Sequence, residues 1–543
     1  MDFNLADVFE AVAAAIPDQD AIVWGDRRWS YRELDERTNR LANVLHGAGH
    51  GARRDRAGLG GHESHQSHLA IYLYNGNEYL ESMLGAFKAR VAPFNVNYRY
   101  VEEELLYLLD SCAAEAIVFD SRFADTLAAV LPKLPDLRTL IQVGDGPLLD
   151  GAIAYEDALA TASITPPAVE RSPDDLYILC TGGTTGMPKG VLWRQADIFM
   201  GSMGGREMGT GVEKQSLEQI VEAAKASGGA KVLPAPPLMH GASQWVAFSG
   251  FNGGSTIVLQ EDVVRLDPKD VWQTVDRNGV NILLIVGDAF GRPLVEELER
   301  GDHDGSSLLV VVSGGAPLNS TLKDRLLAAL PSAMILDAVG ASETGSQMSH
   351  VSAAGASAST GRFTPGPSAA VVSADLSEVL EPGHEGDGWL AQRGRVPLGY
   401  LGDAEKTAKT FPVIEGTRYA VPGDRARLTA EGEIELFGRD SVTINSGGEK
   451  IFAEEVEQAL AHHPDVFDVV VAGRPSEQWG NEVIAIVQLR EGAAPDEEAL
   501  RAEAAKHVAR YKLPKAFVFV PSVVRSPAGK ADYRWAKEQA LTA

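Results

Sequence analysis

Apolar and polar positions follow two rhythms along this chain. The stretch Ser30-Tyr31-Arg32-Glu33 has capping-box spacing and opens a helical pattern through Leu34, Leu41 and Val44. The apolar run LAIYLYN at 69–75 predicts a strand, followed by a helix to about Lys88. The strand APFNVN, the helix VEEELLYLLD and the strand AIVFD come next. Alternation of this kind predicts an α/β fold with mostly parallel, doubly wound sheets. It recurs at 255–330, where VNILLIVG and LLVVVSGG are the buried strands. From about residue 365 the strands shorten and turns multiply, as in GDGWLAQRG and GEIELFGRD, which predicts a small barrel or meander. Beyond Asp440 a compact α+β tail is expected, with EEVEQALAHHP helical and VFDVVVAG and EVIAIVQL as strands. The predicted division is a large N-terminal domain, 1–438, carrying the doubly wound sheets and the small barrel, and a small C-terminal domain, 439–543. No internal repeat is visible.

Composition narrows the function. A chain of 543 residues with 45% apolar and 23% charged residues can bury a large core. The formal charge of -26 argues against nucleic acid as a partner and against charge-driven binding to anionic lipid. Anionic substrates would have to be held by local donors. The two cysteines, Cys112 and Cys180, lie in apolar segments, which argues against a disulfide scaffold and fits a reducing compartment. The N-terminal MDFNLADVFEAVAAAIPDQD lacks a basic leader, and no apolar run is long enough to span a bilayer, so a cytoplasmic protein with no transmembrane segment is expected. His62, His65 and His68 sit in a glycine-rich polar stretch at 50–66 and just after it; their spacing fits no well-defined metal site, and a flexible surface insertion is expected.

One loop carries candidate chemistry. Residues 181–190 read TGGTTGMPKG, straight after the apolar LYILC. Glycines let backbone N–H groups crowd an anion, threonines add donors and Lys189 adds charge. The common phosphate loop needs Ser or Thr after its lysine, whereas Lys189 precedes Gly190 and follows Met187-Pro188. That motif is excluded; a glycine-rich turn or another kind of anion site remains.

Four further stretches resolve the matter. Val339-Gly340-Ala341-Ser342-Glu343 sets a hydroxyl beside a carboxylate; YAVPGD ends in Asp424; Gly438-Arg439-Asp440 is followed by INSGGEK, with Gly447, Gly448 and Lys450; RSPAGK ends in Lys530. In this order, over nearly the whole chain except 50–66, they closely resemble the adenylate-forming superfamily of acyl-CoA synthetases, peptide-synthetase adenylation domains and beetle luciferases. Within it, INSGGEKIFAEEVE and RSPAGKADYRWAK are most similar to actinobacterial fatty acyl-CoA and steroid side-chain acyl-CoA synthetases.

The resemblance implies an AMP-forming acid–thiol ligase using ATP, Mg²⁺ and CoA. A carboxylic acid attacks the α-phosphate of ATP, giving acyl-AMP and pyrophosphate, and CoA then displaces AMP. The first domain would bind ATP and the acyl group; the second, mobile about Asp440, would carry the catalytic lysine. Thr181, Gly182, Gly183, Thr184, Thr185, Gly186 and Lys189 would hold the β- and γ-phosphates, with Thr184 counted among the catalytic groups. Glu343 would bind Mg²⁺, Ser342 would donate to the α-phosphate, and Gly314 in SGGAPL would lie against adenine. Asp424 and Arg439 would bind the ribose. Lys530 would stand between the substrate carboxylate and the α-phosphate, and His240 in PAPPLMHG would border the carboxylate. Gly447 would line the pantetheine channel. Two departures stand out: Gly182 replaces a hydroxyl residue, and Val339 replaces the tyrosine that stacks on adenine. Small residues Gly287, Ala289 and Gly291, with the segment GASQWVAFSGFNGG at 241–254, are expected to leave a deep acyl pocket whose one fixed basic group is Arg292. Medium- or long-chain fatty acids or steroid side-chain acids are the expected substrates. Transfer to a carrier protein, or a silent nucleotide-binding regulator, are the competing readings; the chain is compatible with a homodimer.

Overall fold

Ser30 forms the expected capping box: Glu33 N donates to its hydroxyl at 3.2 Å, and Ser30 N donates to the Glu33 carboxylate at 2.7 Å. The helix it starts, Tyr31–Gly47, buries Leu34, Leu41 and Leu45. This is a computed structural model, and it describes residues 1–181, 187–207, 209–355, 361–439, 442–446, 449–476, 480–526 and 529–543.

Two sheets build the large domain. In the first, the parallel strands Thr256–Leu259, Lys231–Pro234, Ile282–Ile285, Val310–Gly314 and Met334–Ala341 are neighbours in that order. Helices Pro268–Asn278, Gly287–Leu298 and Ser320–Ala329 cover one face, where Leu283, Val311 and Ile335 pack against Trp272, Leu294 and Leu322. In the second, Ala92–Asn95, His68–Tyr72, Ala114–Asp120 and Thr139–Val143 form a parallel core flanked by the antiparallel pair Leu176–Thr181 and Lys189–Arg194. Both follow the doubly wound pattern expected from strand–helix alternation.

The expected small barrel is not closed. The short strands after residue 362 continue the first sheet through Arg362–Pro365, Ile434–Arg439, Asp424–Leu428, Gly388–Arg393, Thr417–Ala420 and Val413–Ile414. Their order is that of an open antiparallel meander whose last strand does not return to the first. Local strand signals are the same for either arrangement, so the difference lies in long-range pairing alone.

The small domain packs the helix Ala453–Ala461 on a separate sheet, in which Val466–Ser476 and Gly480–Leu489 form a long hairpin and Ala516–Phe519 adds a parallel strand. No helix among the described residues is long and apolar enough to cross a membrane.

The histidine-rich stretch is not the flexible insertion expected. His62 O accepts from Gly402 N at 2.9 Å, and Arg53 N donates to His65 O at 2.8 Å. A Cβ on Gly61 would lie 2.3 Å from Leu398 O, so glycine is needed for this close approach. His65 is buried, with Nε2 3.5 Å from Asp175, and His68 donates Nδ1–H to Cys112 O at 2.5 Å while accepting from Ser64 at 2.7 Å. The stretch is a docked loop, held by backbone bonds at His62 and His65 and by the buried rings of His65 and His68.

Candidate functional site

The loop opened by Thr181 is anchored at both ends. Thr181 stands opposite Lys189 in the antiparallel pair, and Lys189 forms an ion pair with Asp403. Residues 182–186, including Gly182, Gly183, Thr184, Thr185 and Gly186, lie outside the described residues.

Ser342 and Glu343 ride on the turn between Met334–Ala341 and Gly345–Ala353. Thr344 braces this turn: its hydroxyl accepts from Ala341 N at 2.9 Å, and its own N–H donates to Ala341 O at 3.0 Å. The Ser342 carbonyl accepts from the buried Trp193 indole at 2.9 Å. A Cβ on Gly340 would lie 2.2 Å from Gly345 O, so only glycine lets the two strands meet there. Val339, where the family pattern has tyrosine, packs against the cluster of Met348, Phe363 and Ile434. Tyr400 donates its hydroxyl to Glu343 at 2.7 Å. Tyr400 and Asp403, which the sequence reading missed, thus hold two candidate site residues from one segment. The pairing of Gly399–Tyr400 with Lys189–Arg194 brings that segment in. Nothing in GYLGD announces this except a turn signal before a helix N-cap.

Asp424 lies opposite Arg439 in the meander, so the structure brings these two together at the end of the large domain. Gly314 ends its strand, and Gly315 after it has φ +84°, a conformation that favours glycine. The turn carrying Lys530 sits against it: Lys530 Cε is 3.9 Å from where a Cβ on Gly315 would be. A Cβ on Gly529 would lie 2.9 Å from Ala289 Cβ and 3.3 Å from Val286, so the turn is seated on the large domain. Gly447 and Asp440 lie outside the described residues.

His240 stands at the N-cap position of the helix Gly241–Asn252, without a side-chain hydrogen bond to its first turn. Burial, then the nearby charges of Lys530 and Arg99, push its pKa down to about 3. It is therefore neutral near pH 7. Its folded-state pKa lies below the ordinary 6.5, so between those values the unfolded chain binds the extra proton and stability falls as pH falls from 6.5 towards 3. Replacing His240 with Gln should flatten the acid limb of melting temperature against pH over that window. An unchanged slope would count against this environment for His240.

The expected deep pocket does not lie behind the glycines. A Cβ on Gly287 would lie 2.4 Å from Pro317 O, on Gly291 2.6 Å from Leu318, on Gly241 2.7 Å from Leu179 and on Gly250 2.6 Å from Ile257. These residues are small because neighbouring elements fill the space. Arg292 is not a pocket wall either: its guanidinium carbon lies over the Phe467 ring of the small domain, 5.0 Å from its centroid. Open apolar surface lies instead on the strands beside Gly314. Register places Gly314 by Ala338, Val312 by Leu336 and Val310 by Met334, with Leu336 opposite Val351. Val310, Val312, Leu336 and Ala338 are half-buried, and Met334 and Val351 are 44% and 54% exposed. From residue 314 back to 310 this strip spans about 13 Å at ~3.3 Å per residue.

The family model for AMP-binding enzyme matches residues 9–401, and that for the AMP-binding enzyme C-terminal domain matches 455–530. The chain belongs to the AMP-binding enzyme family. It is 58% identical to the medium-chain acyl-CoA ligase Mig of Mycobacterium avium, over 99% of this chain and 98% of the relative. It is 40% identical to a medium/long-chain-fatty-acid–CoA/3-oxocholest-4-en-26-oate–CoA ligase of Mycobacterium tuberculosis, over 99% and 96%. Among solved structures, the anthranilate CoA ligase AuaEII in complex with anthranoyl-AMP superposes with a TM-score of 0.83 at 21% identity, covering 100% of this chain and 98% of that one. The last likeness concerns the fold.

Proposed function

We propose that this protein activates a medium- or long-chain fatty acid, or a steroid side-chain carboxylic acid, to acyl-AMP with ATP and transfers the acyl group to CoA. The carrying observation is the seat of Lys530: a cation beside the Gly314-Gly315 turn, at the head of an apolar strip. A carboxylate repels nucleophiles and has no good leaving group, and adenylation supplies AMP as one. In this reading Lys530 neutralises the carboxylate and α-phosphate as they meet. Lys189, with Thr181 and the loop to Gly186, grips the β- and γ-phosphates; the Asp403 pair keeps its ammonium at the loop mouth until pyrophosphate groups compete for it. Ser342 serves the α-phosphate, Gly314 the adenine, and Asp424 with Arg439 the ribose. Neutral His240 borders the carboxylate without adding repulsion or charge.

Mg²⁺ fits the donors present. Glu343 offers a hard carboxylate already oriented by Tyr400, and the described residues hold no cluster of three or more His, Cys, Asp or Glu side chains suited to a metal. Such a site suits a cation that keeps water and substrate phosphates as its other ligands and neutralises phosphate charge. We take 1–438 as the ATP- and acyl-binding domain and 439–543 as the lid, with Gly447 in the pantetheine channel, working in the cytoplasm alone or as a homodimer.

A panel of acids with ATP and CoA tests the reading, with thioester read by mass. Each methylene buried on the strip contributes about 0.8 kcal/mol, so kcat/KM should rise from acetate through octanoate to palmitate until the strip ends. Best activity with acetate or benzoate would sink the apolar-strip assignment. Replacing CoA with a phosphopantetheinyl carrier protein should give less product; the reverse would move the acceptor to a carrier. The names of the two CoA ligase relatives support CoA.

A further inference from the structure

Arg292 is a buried cation that the adenylation chemistry leaves without a task. It lies on the helix Gly287–Leu298, whose first turn also supplies the seat of the lysine turn. Asp288, Arg292 and Glu296 recur every four residues and form one stripe along that helix. Each is engaged. Asp288 accepts from Asn319 N at 2.8 Å and from its side-chain amide at 2.6 Å, which fixes the carboxylate. Arg292 stands 3.8 Å from that carboxylate and lays its guanidinium over the Phe467 ring at 5.0 Å. Glu296 accepts from Arg490 at 3.3 Å. Phe467 and Arg490 belong to the small domain, so the stripe is a docking edge for it.

From Phe467 the contacts run straight to the lysine turn. The next residue, Asp468, takes a bidentate pair from Arg525, with both bonds at 2.7 Å. The remaining Arg525 nitrogen donates to Gly529 O at 3.1 Å, one residue before Lys530. Ser526 closes the turn, donating its N–H to Lys530 O at 2.8 Å and accepting from Lys530 N at 3.2 Å. A lysine side chain is long and flexible, so its charge is useful only if its backbone is held in one place. Here that backbone is held from within by Arg525, and the large domain meets the segment leading to it through Arg292 at Phe467.

We propose that Arg292 is a positioning residue for acyl-adenylate formation, setting the place of Lys530 through Phe467, Asp468 and Arg525. The guanidinium suits this place better than an ammonium, because its charge is delocalised and weakly hydrated over the ring while it stands 3.8 Å from Asp288. This rests on the role given above to Lys530. Once the adenylate exists, Lys530 is no longer needed, and a docking contact specific to this arrangement ceases to help.

The experiment compares the two half-reactions in Arg292→Lys and Phe467→Leu, each checked for a wild-type melting profile, with Lys530→Ala alongside. Acyl-AMP formation is read as pyrophosphate release without CoA; the second step is read as thioester from supplied acyl-adenylate and CoA. Both variants should lose about tenfold in the kcat of adenylation with KM for ATP changed less than about twofold, and should keep the second step. Having two variants guards against one that folds poorly, since they alter opposite sides of the contact. Equal loss in both half-reactions, or no loss in adenylation, overturns the proposal. If Lys530→Ala separates the half-reactions and the Arg292 and Phe467 variants do not, this proposal alone fails. If Lys530→Ala adenylates normally, or the wild type makes no acyl-adenylate, both fail.

Discussion

Lys530→Ala is expected to lose acyl-adenylate formation by on the order of 10²–10³-fold while still making thioester from supplied acyl-adenylate. The first step brings a carboxylate against a phosphate, and this lysine is the cation that the structure seats at the Gly314-Gly315 turn. The nearby charge is felt by His240, whose pKa it helps to lower. Thioester formation starts from a neutral acyl carbonyl, so the same charge is not required there. Pyrophosphate release and thioester formation measured separately decide the matter. Parallel loss in both would mean that Lys530 serves the fold or both steps.

Glu343→Gln is the second large effect, expected at roughly 10²-fold or more in adenylation at ordinary Mg²⁺, with the Mg²⁺ requirement moved to higher concentration. The substitution keeps shape and removes charge. The Tyr400 hydroxyl at 2.7 Å would still find an acceptor in the amide, so the turn braced by Thr344 should stay in place. Adenylation rate against Mg²⁺ concentration is the measurement. A fall in rate with an unchanged Mg²⁺ curve would take the metal away from Glu343.

Much of this was legible from local signals. The capping box at Ser30 and Glu33 appears where the spacing placed it, and strands such as Val310–Gly314 fall inside the expected apolar runs. Asp424 and Arg439, fifteen residues apart, were assigned to one ribose by motif and prove to be cross-strand partners. The glycines of 241–254 and 287–291 misled, because a small residue marks both a cavity and a tight contact. Only the neighbour decides which, and for Gly250 the neighbour is Ile257. The histidines of the 50–66 stretch misled for the mirror-image reason. A polar, glycine-rich run looks solvent-exposed until Asp175 and Gly402 are found beside it.

What the sequence by itself determined is therefore the family and the alternation of strands and helices: the motifs TGGTTGMPKG, VGASE, YAVPGD and RSPAGK in that order, to which the proposed phosphate, metal, ribose and lysine roles are attached. These depend on residue type and short spacing, which a one-dimensional reading preserves. Only the tertiary structure decided that the meander stays open, that Tyr400 and Asp403 hold Glu343 and Lys189, and that Arg292 faces Phe467 of the small domain. Each is a pairing between segments far apart in the chain. Helical or strand periodicity says which face of an element is apolar or charged, but the partner that face meets is set by how whole elements pack, and that information appears only when the layers are assembled.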